Sequence, residues 1–579
     1  MVTTENPTSV QAIDIPPGYW EREDSHNPRP LTPLGSNIFV DGLNRSFTKM
    51  FAEMGMLLET LAYKEIGGYV YNSGVPLGGA RPGAQKLPPK PLLWLALRLH
   101  PMFRKRLAVA KRAMETRLDR QWLDRWFSEW RPRLIDDIAR YRAIEVAELP
   151  DEELAGHFAE VWEWTYGAFD VHFLMTAPYG FAVARLAFFC RDYLGYDDLQ
   201  TLRLLSGLSE ASSEPAIALA VLADRIRGEG SLMASILAAP VRDVPALIAA
   251  RNDEITISYR DYVHRYGFRA LRYEVVEKTM DEQPELIAQL LQDQLRHPTD
   301  VRTEQSQLGR ERAEAKAAAL STLPDDGARR DFEARLAEAE RAYPTREDNE
   351  FFTVSVPLAL VRRAALEAGR RLVRKDALAT EDDVFFARSE EIGDALRTLP
   401  VDDGLARTII KRQAAHAAAE AFDPPASYGE DPPVPPMSVL PPHAREMMSV
   451  MMYMREKVFE AETAGEPRDG GGPQSIAGRP AARGTYTGTA RLVMGEHEFD
   501  KLQPGDVLVC PITSPVWSVL FAKVGALVTD SGGVLSHPAI IAREYGIPAV
   551  VATRVGTTRL RDGQRVCVDG DAGIVRMLD

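Results

Sequence analysis

Apolar residues recur at three- and four-residue spacing along "NRSFTKMFAEMGMLLETLAYKE" (44–65) and "DEELAGHFAEVWEWTYGAFDVHFLM" (151–175), the period of one helix face. The same period runs over about 44–420 and predicts a mostly helical region there. Within it, "GRERAEAKAAALSTLPDDGARRDFEARLAEAERAYPTRE" reads as two charged helices joined at Pro324-Asp325-Asp326-Gly327, a helical hairpin with a solvated face. Ahead of it, the prolines of "PPGYWEREDSHNPRPLTPLGSNIF" favour an extended path over another element. "FDPPASYGEDPPVPPMSVLPP" at 422–442 is a proline-rich connector. A methionine-rich helix follows, "HAREMMSVMMYMREKVFEAE", and then a flexible linker, "TAGEPRDGGGPQSIAGRPA" at 463–481. Fully extended, that linker reaches about 60 Å.

After residue 480 the period changes. "GTARLVMG", "GDVLVCPI", "VGALVTD", "GIPAVVAT" and "QRVCVDG" are short β-rich runs bounded by Gly, Pro and Asp. One helix, at about 538–545, falls between "GALVTD" and "IPAVV". The predicted fold class is therefore α+β and multidomain. A mostly helical domain over 1–421 and a connector over 422–480 precede a small α/β domain over 481–579.

Charge and composition narrow the class. The net charge of −14 argues against nucleic acid or an anionic membrane as partner, since both want a basic surface. Cys190, Cys510 and Cys567 lie far apart and form no CxxC, which fits a reducing cytoplasm. "MVTTENPTSV" lacks the basic and apolar regions of a signal peptide. "PLLWLALRLHPMF" at 91–103 is too short to span a bilayer and is interrupted by Arg98 and His100.

The chemistry-bearing stretch is "TDSGGVLSHPAIIAREYG" (529–546). His537 has no neighbouring histidine, cysteine pair or acidic cluster, so no metal site is expected, and it reads as a histidine that works alone. Gly532 and Gly533 permit a tight turn and a close approach to a ligand. Pro538 suits a first helical turn, whose free N–H groups and dipole favour an anion. The same dipole favours the neutral, nucleophilic ring. A nucleophilic histidine beside an anion site is what a transient phosphohistidine needs. The plain alternative is a helix-start histidine with a satisfied side chain.

The segment "RPAARGTYTGTARLV…GDVLV…TSPVWSVLF…GALVTDSGGVLSHPAIIAREYGIPAVV…LRDGQRVCVDGDAGIV" resembles the swivelling phosphohistidine domain of phosphoenolpyruvate-utilising enzymes. That family includes phosphoenolpyruvate synthase, pyruvate phosphate dikinase and rifampin phosphotransferase. The resemblance implies that His537 is phosphorylated by one domain and carries the group to another. It departs from the synthase and dikinase pattern at Leu535, where those have threonine, and at "TSPVW", commonly TDPGW. Upstream, "YVHRYGFRALRYEVVEKTMDEQPELIAQLL" and "REDNEFFTVSVPLALVRRAALEAGRRLVRKDALATEDDVFFARSEE" are similar to the helical acceptor-binding domain of the rifampin type.

The resemblance implies that an ATP-grasp domain loads the histidine. Residues 1–420 lack the Gly-rich strand pairs of that fold, so a separate ATP-grasp subunit is expected, with ATP and Mg²⁺ acting through it and neither tightly bound by this chain. The chain ends at Asp579, where the synthases continue into a pyruvate-handling barrel, so an enol acceptor is not expected. A small organic hydroxyl, phenolic as in phenylphosphate-synthase-like systems, is the expected acceptor. The family's Arg-Glu-x-x-Lys motif reads Arg346-Glu347-Asp348-Asn349-Glu350, which keeps the arginine as a phosphoryl clamp and replaces the lysine. Catalytic candidates are thus His537 and Arg346, with Gly532, Gly533 and Ser536 as the phosphate loop. Substrate-binding candidates are Trp20, His26, His172 and Arg269. His172 or His26 is a candidate base, and Arg269 has a structural alternative in a pair with Glu274. A different class of function, a phosphocarrier or regulatory phosphohistidine protein without catalysis, fits the same residues.

Overall fold

The computed structural model describes residues 15–24, 26–79, 87–270, 272–298, 301–398, 403–459, 472, 474–513 and 517–578. Contacts divide the chain into two compact units. One comprises Met1–Thr116, Val146–Trp162 and Ala364–Arg445; the other comprises Arg117–Glu145, Glu163–Arg363 and Glu446–Asp579. Each unit is assembled from three segments, whereas the blocks 1–421, 422–480 and 481–579 follow chain order. The helices Asp151–Phe189 and Val356–Arg374 contribute to both units. Of the linker expected over 463–481, residues 463–471 and 473 lie outside the described residues, as do 514–516 of the "TSPVW" loop.

The first unit carries a four-stranded sheet that helical periodicity did not predict. Its strands run in the order Leu58–Ile66, Tyr69–Pro76, Trp20–Arg22, Ser427–Tyr428. The helix expected over 44–65 is instead Pro33–Met54, and Gly55 ends it in the left-handed conformation (φ 73°). No larger residue fits there, because a Cβ would sit 2.3 Å from the Ala110 amide nitrogen. Beyond that stop, Leu58–Ile66 pairs with Tyr69–Pro76 through Gly67-Gly68, both with positive φ as a tight hairpin requires.

In the second unit an eight-stranded sheet is built from residues 475–577. Its centre is parallel: Thr485–Leu492, Val507–Cys510, Ala526–Thr529 and Ala549–Val551 are neighbours in that order. The strand period of two sorts its side chains. Val507, Val509, Ala526, Val528 and Val550 share a core with Val566, Val568 and Val575. Leu508, Cys510, Leu527, Ala549 and Val551 face the opposite way. They join Leu219, Ile226, Leu290 and Leu291 of the helical segments in one core, together with Trp517, Leu520, Phe521 and Tyr545. The α/β sheet is thereby packed onto helices of the same unit.

The expected charged hairpin is present as Val301–Thr322 and Asp326–Ala342, with Asp325 capping the second helix through the Ala328 amide at 2.8 Å. Helix Thr345–Glu350 continues into Val356–Arg374 through a π-helical turn, Phe351–Ser355. Pro357, just inside the latter helix, lacks an N–H and crowds the carbonyl of the preceding turn, which accounts for the wider turn. Trp126–Trp130 is a second π-helical turn, with Pro132 in the same relation to it.

Among the described residues one helix, Asp151–Leu194, is long and apolar enough to cross a membrane, and most of its apolar window is buried. That burial is the mark of a core helix. A buried charge cluster fixes its far half. Asp119, buried, bonds Arg117 at 3.1 Å and Arg185 at 2.6 Å, and Glu338 pairs with Arg117 and, at 2.7 Å, with Arg120. Burial would raise the Asp119 carboxyl, but the two arginines hold it below the ordinary aspartate value. Replacing Asp119 with alanine takes from the part-buried Arg185 its nearest counter-charge, leaving Glu446 at 2.9 Å, and is expected to cost about 1.5–3 kcal/mol in urea unfolding. The wild-type share of that stability is present above the ordinary aspartate pKa and disappears only as pH falls through the lower folded value.

Candidate functional site

The chain between the parallel strands Ala526–Thr529 and Ala549–Val551 crosses over through the helix His537–Glu544. The loop before that helix therefore leaves the carboxyl end of a strand, where open parallel sheets present their ligands. Asp530 anchors the loop, accepting from the Thr553 hydroxyl at 2.9 Å and the Thr557 amide at 3.2 Å. Gly532 has φ +105°, a conformation closed to other residues. Gly533 is required by proximity, because a Cβ there would lie 2.2 Å from the Lys457 carbonyl oxygen. The Leu535 amide donates to that same carbonyl at 2.8 Å, so the loop lies against the π-helical turn Arg455–Phe459 that follows the methionine-rich helix Pro442–Met454. Ser536 occupies the N-cap position, but its hydroxyl donates to the Gly533 carbonyl at 2.6 Å and caps nothing. The first-turn N–H groups are left without a side-chain cap.

His537 does not work alone, contrary to the sequence expectation. Its Nδ1 lies 2.9 Å from Oε2 of Glu347, a buried carboxyl 190 residues earlier in the chain. Burial would raise the Glu347 carboxyl, but His537, Arg346 and Arg269 together hold it below the ordinary glutamate value. A carboxylate only accepts, so Nδ1–H donates and the lone pair of the neutral ring sits on Nε2. Nε2 is buried and has no hydrogen-bond partner among the described residues.

Glu347 reaches this place because Arg346, Glu347 and Glu350 share the short helix Thr345–Glu350, where positions three and four apart lie on one face. Arg346 lies over the Tyr179 ring, 5.5 Å from its centroid, and makes no ion pair among the described residues. The buried Tyr179 hydroxyl has no partner among them either, and burial pushes its pKa well up. Burial also pushes the Glu350 carboxyl up to about 7, with Glu347 adding to the shift and the Ser355 hydroxyl, Arg269 and His537 opposing it. Arg269 is buried between Tyr266 and Phe351, 5.4 and 4.6 Å from their ring centroids. Its Nε and Nη1 find no partner among the described residues, and it forms no ion pair with Glu274 there.

The structure thus brings His537, Arg346 and Arg269 into one neighbourhood and adds Glu347 and Glu350. His172 lies against the same helix, its Nδ1 3.0 Å from the Thr353 hydroxyl and 3.2 Å from the Asn349 amide nitrogen. Trp20 and His26 belong to the other compact unit. There Trp20 packs in the sheet core with Ile66, Tyr69 and Tyr71, and His26 Nδ1 lies 2.8 Å from Glu23. Sequence reasoning assigned no role to Glu347, although it stands beside Arg346. It also passed over Arg543 and Glu544 at the far end of the histidine helix. Arg543 donates to the Tyr343 hydroxyl at 3.3 Å, and Glu544 accepts the amides of Gly207 and Ser209 at 3.1 and 3.2 Å.

Residues 502–573 match the family "PEP-utilising enzyme, mobile domain", and residues 172–347 match "Rifampicin phosphotransferase fourth domain". A rifampicin phosphotransferase of Streptomyces sviceus is 29% identical over 400 residues, which is 67% of this chain and 42% of that protein. An uncharacterised phosphotransferase of Bacillus subtilis is 29% identical over 319 residues, covering 55% of this chain and 36% of the relative. A probable phosphoenolpyruvate synthase of Archaeoglobus fulgidus is 42% identical over 100 residues, 17% of this chain and 13% of the relative. The chain spans less than half the length of each of these relatives.

Two stability measurements test the site's construction. Gly533→Ala forces the loop away from Lys457 and is expected to destabilise the unit by about 1–3 kcal/mol in urea titration. Burial raises the Glu544 carboxyl to about 7 from an ordinary 4.5, against its two backbone bonds and the nearby arginines. Its contribution to stability is therefore full below about 4.5 and lost as pH rises to about 7. Glu544→Gln is expected to flatten the thermal midpoint over that interval; Glu350, shifted the same way, leaves a residual slope.

Proposed function

Since the chain combines a phosphoenolpyruvate-utiliser mobile domain with a rifampicin-phosphotransferase fourth domain, we propose that it is a phosphotransferase working through phosphorylation of His537 at Nε2. The observation that carries this reading is the pairing of His537 Nδ1 with Glu347, which leaves the buried Nε2 without a hydrogen-bond partner among the described residues. A separate ATP-grasp subunit loads the histidine, using ATP and Mg²⁺ and releasing AMP and phosphate. His537 then passes the phosphoryl group to the hydroxyl of a small organic acceptor.

Each group has a chemical part in this scheme. Glu347 orients the ring and balances the positive charge that an N-phosphorylated imidazole carries. Arg346 offers donors for the phosphoryl oxygens during transfer. The uncapped first turn of the histidine helix supplies amide N–H groups to the same anion, with Gly532 and Gly533 allowing the approach. A phenolic acceptor fits best, because a phenol ionises near about 10 and needs less help than an aliphatic alcohol. Tyr179, Phe351 and Tyr266 supply flat apolar walls near the two arginines. The second reading is a phosphocarrier that is phosphorylated and makes no small product.

Phosphoramidate, a small-molecule phosphoryl donor, tests the first step without the partner. The full chain is expected to gain one N–P signal in ³¹P NMR, labile in acid and stable in base. His537→Ala should abolish it, and Glu347→Gln should slow its formation at least about 10²-fold. Label retained by His537→Ala overturns the proposal. Adding phenol, a sugar, a keto acid and an aliphatic alcohol to the loaded protein then separates the two readings. Transfer to phenol supports the enzyme, and a label that leaves for none of them marks a carrier.

A further inference from the structure

We propose that Glu350 is the general base of the transfer step, its carboxylate taking the acceptor's hydroxyl proton as the oxygen attacks phosphorus on His537. The inference rests on the phosphohistidine reading above and adds the group that removes the proton.

A hydroxyl acceptor must lose a proton as its bond to phosphorus forms, and few groups near His537 are able to receive it. Glu347 is committed to Nδ1 and is held in its ionised form, which makes it a weak base. His172 Nδ1 lies against Thr353 and Asn349, and His26 belongs to the other unit. Asp348 is bonded to Arg131 at 3.1 Å. Tyr179 and Tyr273 hold their protons, because burial pushes both hydroxyls well up.

Glu350 remains. It follows Arg346 by four residues and Glu347 by three on one short helix, so it projects from the face that presents both. Its Oε1 accepts the Ser355 hydroxyl at 2.6 Å, from the π-helical turn created ahead of Pro357. Its Oε2 takes no hydrogen bond, and the carboxylate forms no ion pair, among the described residues. A carboxylate set among Glu347, Arg269 and His537 without a salt bridge is costly as structure alone, and such groups cluster at working sites. The Ser355 bond fixes its rotamer and leaves one oxygen for the acceptor.

The step balances. The Nε2–P bond breaks and its electron pair returns to the ring, leaving neutral His537 with its proton on Nδ1. The acceptor O–P bond forms, the O–H proton moves to Oε2 of Glu350, and that proton leaves to solvent after product release. Arg346 and Arg269 offset the charge during transfer. Among the described residues, the charged and titratable groups that act most strongly on Glu350 are Glu347, Arg269 and His537, with the Ser355 hydroxyl bonded to it and Tyr273 in its field.

The test uses full-length chain loaded with phosphoramidate and desalted, with loss of the N–P signal followed in phenol and in water alone. Rates are expressed per phosphohistidine present. Wild type should lose phosphoryl along a pH profile that rises through one ionisation near about 7 and then levels. Glu350→Gln should lower the plateau about 10²–10⁴-fold and remove the step. Glu350→Asp, which keeps a shorter base, should retain a step at reduced rate, and it decides the matter should the glutamine variant not fold. A glutamine variant whose rate and step match wild type overturns the assignment, as does an aspartate variant without a step. Failure of wild type to form any N–P signal sinks the phosphohistidine reading itself. A normal signal with indifference to Glu350 sinks only the base.

Discussion

The hydrogen bond between His537 Nδ1 and Glu347 sets the terms for everything around it. It joins side chains 190 residues apart, one from an α/β crossover and the other from a helix one turn and a half long. A buried carboxylate is expensive, and here the cost is offset by the imidazole and by the fields of Arg346 and Arg269. Because the carboxylate accepts at Nδ1, the lone pair of the neutral ring is left on Nε2. Either partner alone is unremarkable: a helix-start histidine and a glutamate in a charged helix.

The bond forms only while the α/β sheet rests on the helical segments, and the contacts that hold it there are of two kinds. Trp517, Leu520, Phe521 and Tyr545 share one apolar core with Leu219, Leu290 and their neighbours. Besides the His537–Glu347 bond, the polar ties among the described residues include Arg543 to Tyr343, Glu544 to two backbone amides, and Lys523 to Asp293 at 2.8 Å. Hydrogen bonds to charged groups contribute about 1.5–3 kcal/mol each at most, because water competes for both partners. The histidine helix is consequently tethered at both of its ends, by His537 at the first residue and by Glu544 at the last. Orientation of the ring is a property of this docking and not of the loop by itself.

The helix that supplies Glu347 has its own constraint. Pro357 removes an amide from the helix that follows, and the backbone answers with the π-helical turn Phe351–Ser355. That turn places Ser355 against Glu350, Thr353 against His172 and the Phe351 ring against Arg269. One proline thus arranges the supports of three side chains, those of Glu350, His172 and Arg269.

Much of this was legible in the chain. The change after residue 480 from helical spacing to short apolar runs bounded by Gly, Pro and Asp marked the α/β region, because central parallel strands buried on both faces read as continuous apolar runs. Gly532, Gly533 and Pro538 marked a turn into a helix, since few other residues tolerate that backbone. The charged hairpin around Pro324–Gly327 followed from local turn chemistry. The sheet formed by 20–22, 58–76 and 427–428 was missed, as its pairing is long-range and Leu58–Ile66 continues an apolar spacing that suits a helix equally well. His537 was singled out as a candidate from its own neighbours, but its hydrogen-bond partner was not, because local spacing carries no information about which buried carboxyl folds back onto a ring. The residue types and the helix start were determined by the sequence alone. That Glu347 meets Nδ1, that Arg269 is buried without an ion pair among the described residues, that Glu350 lies near Glu347 and that Trp20 packs into a sheet were decided only by tertiary packing, which sets distances that no local pattern encodes.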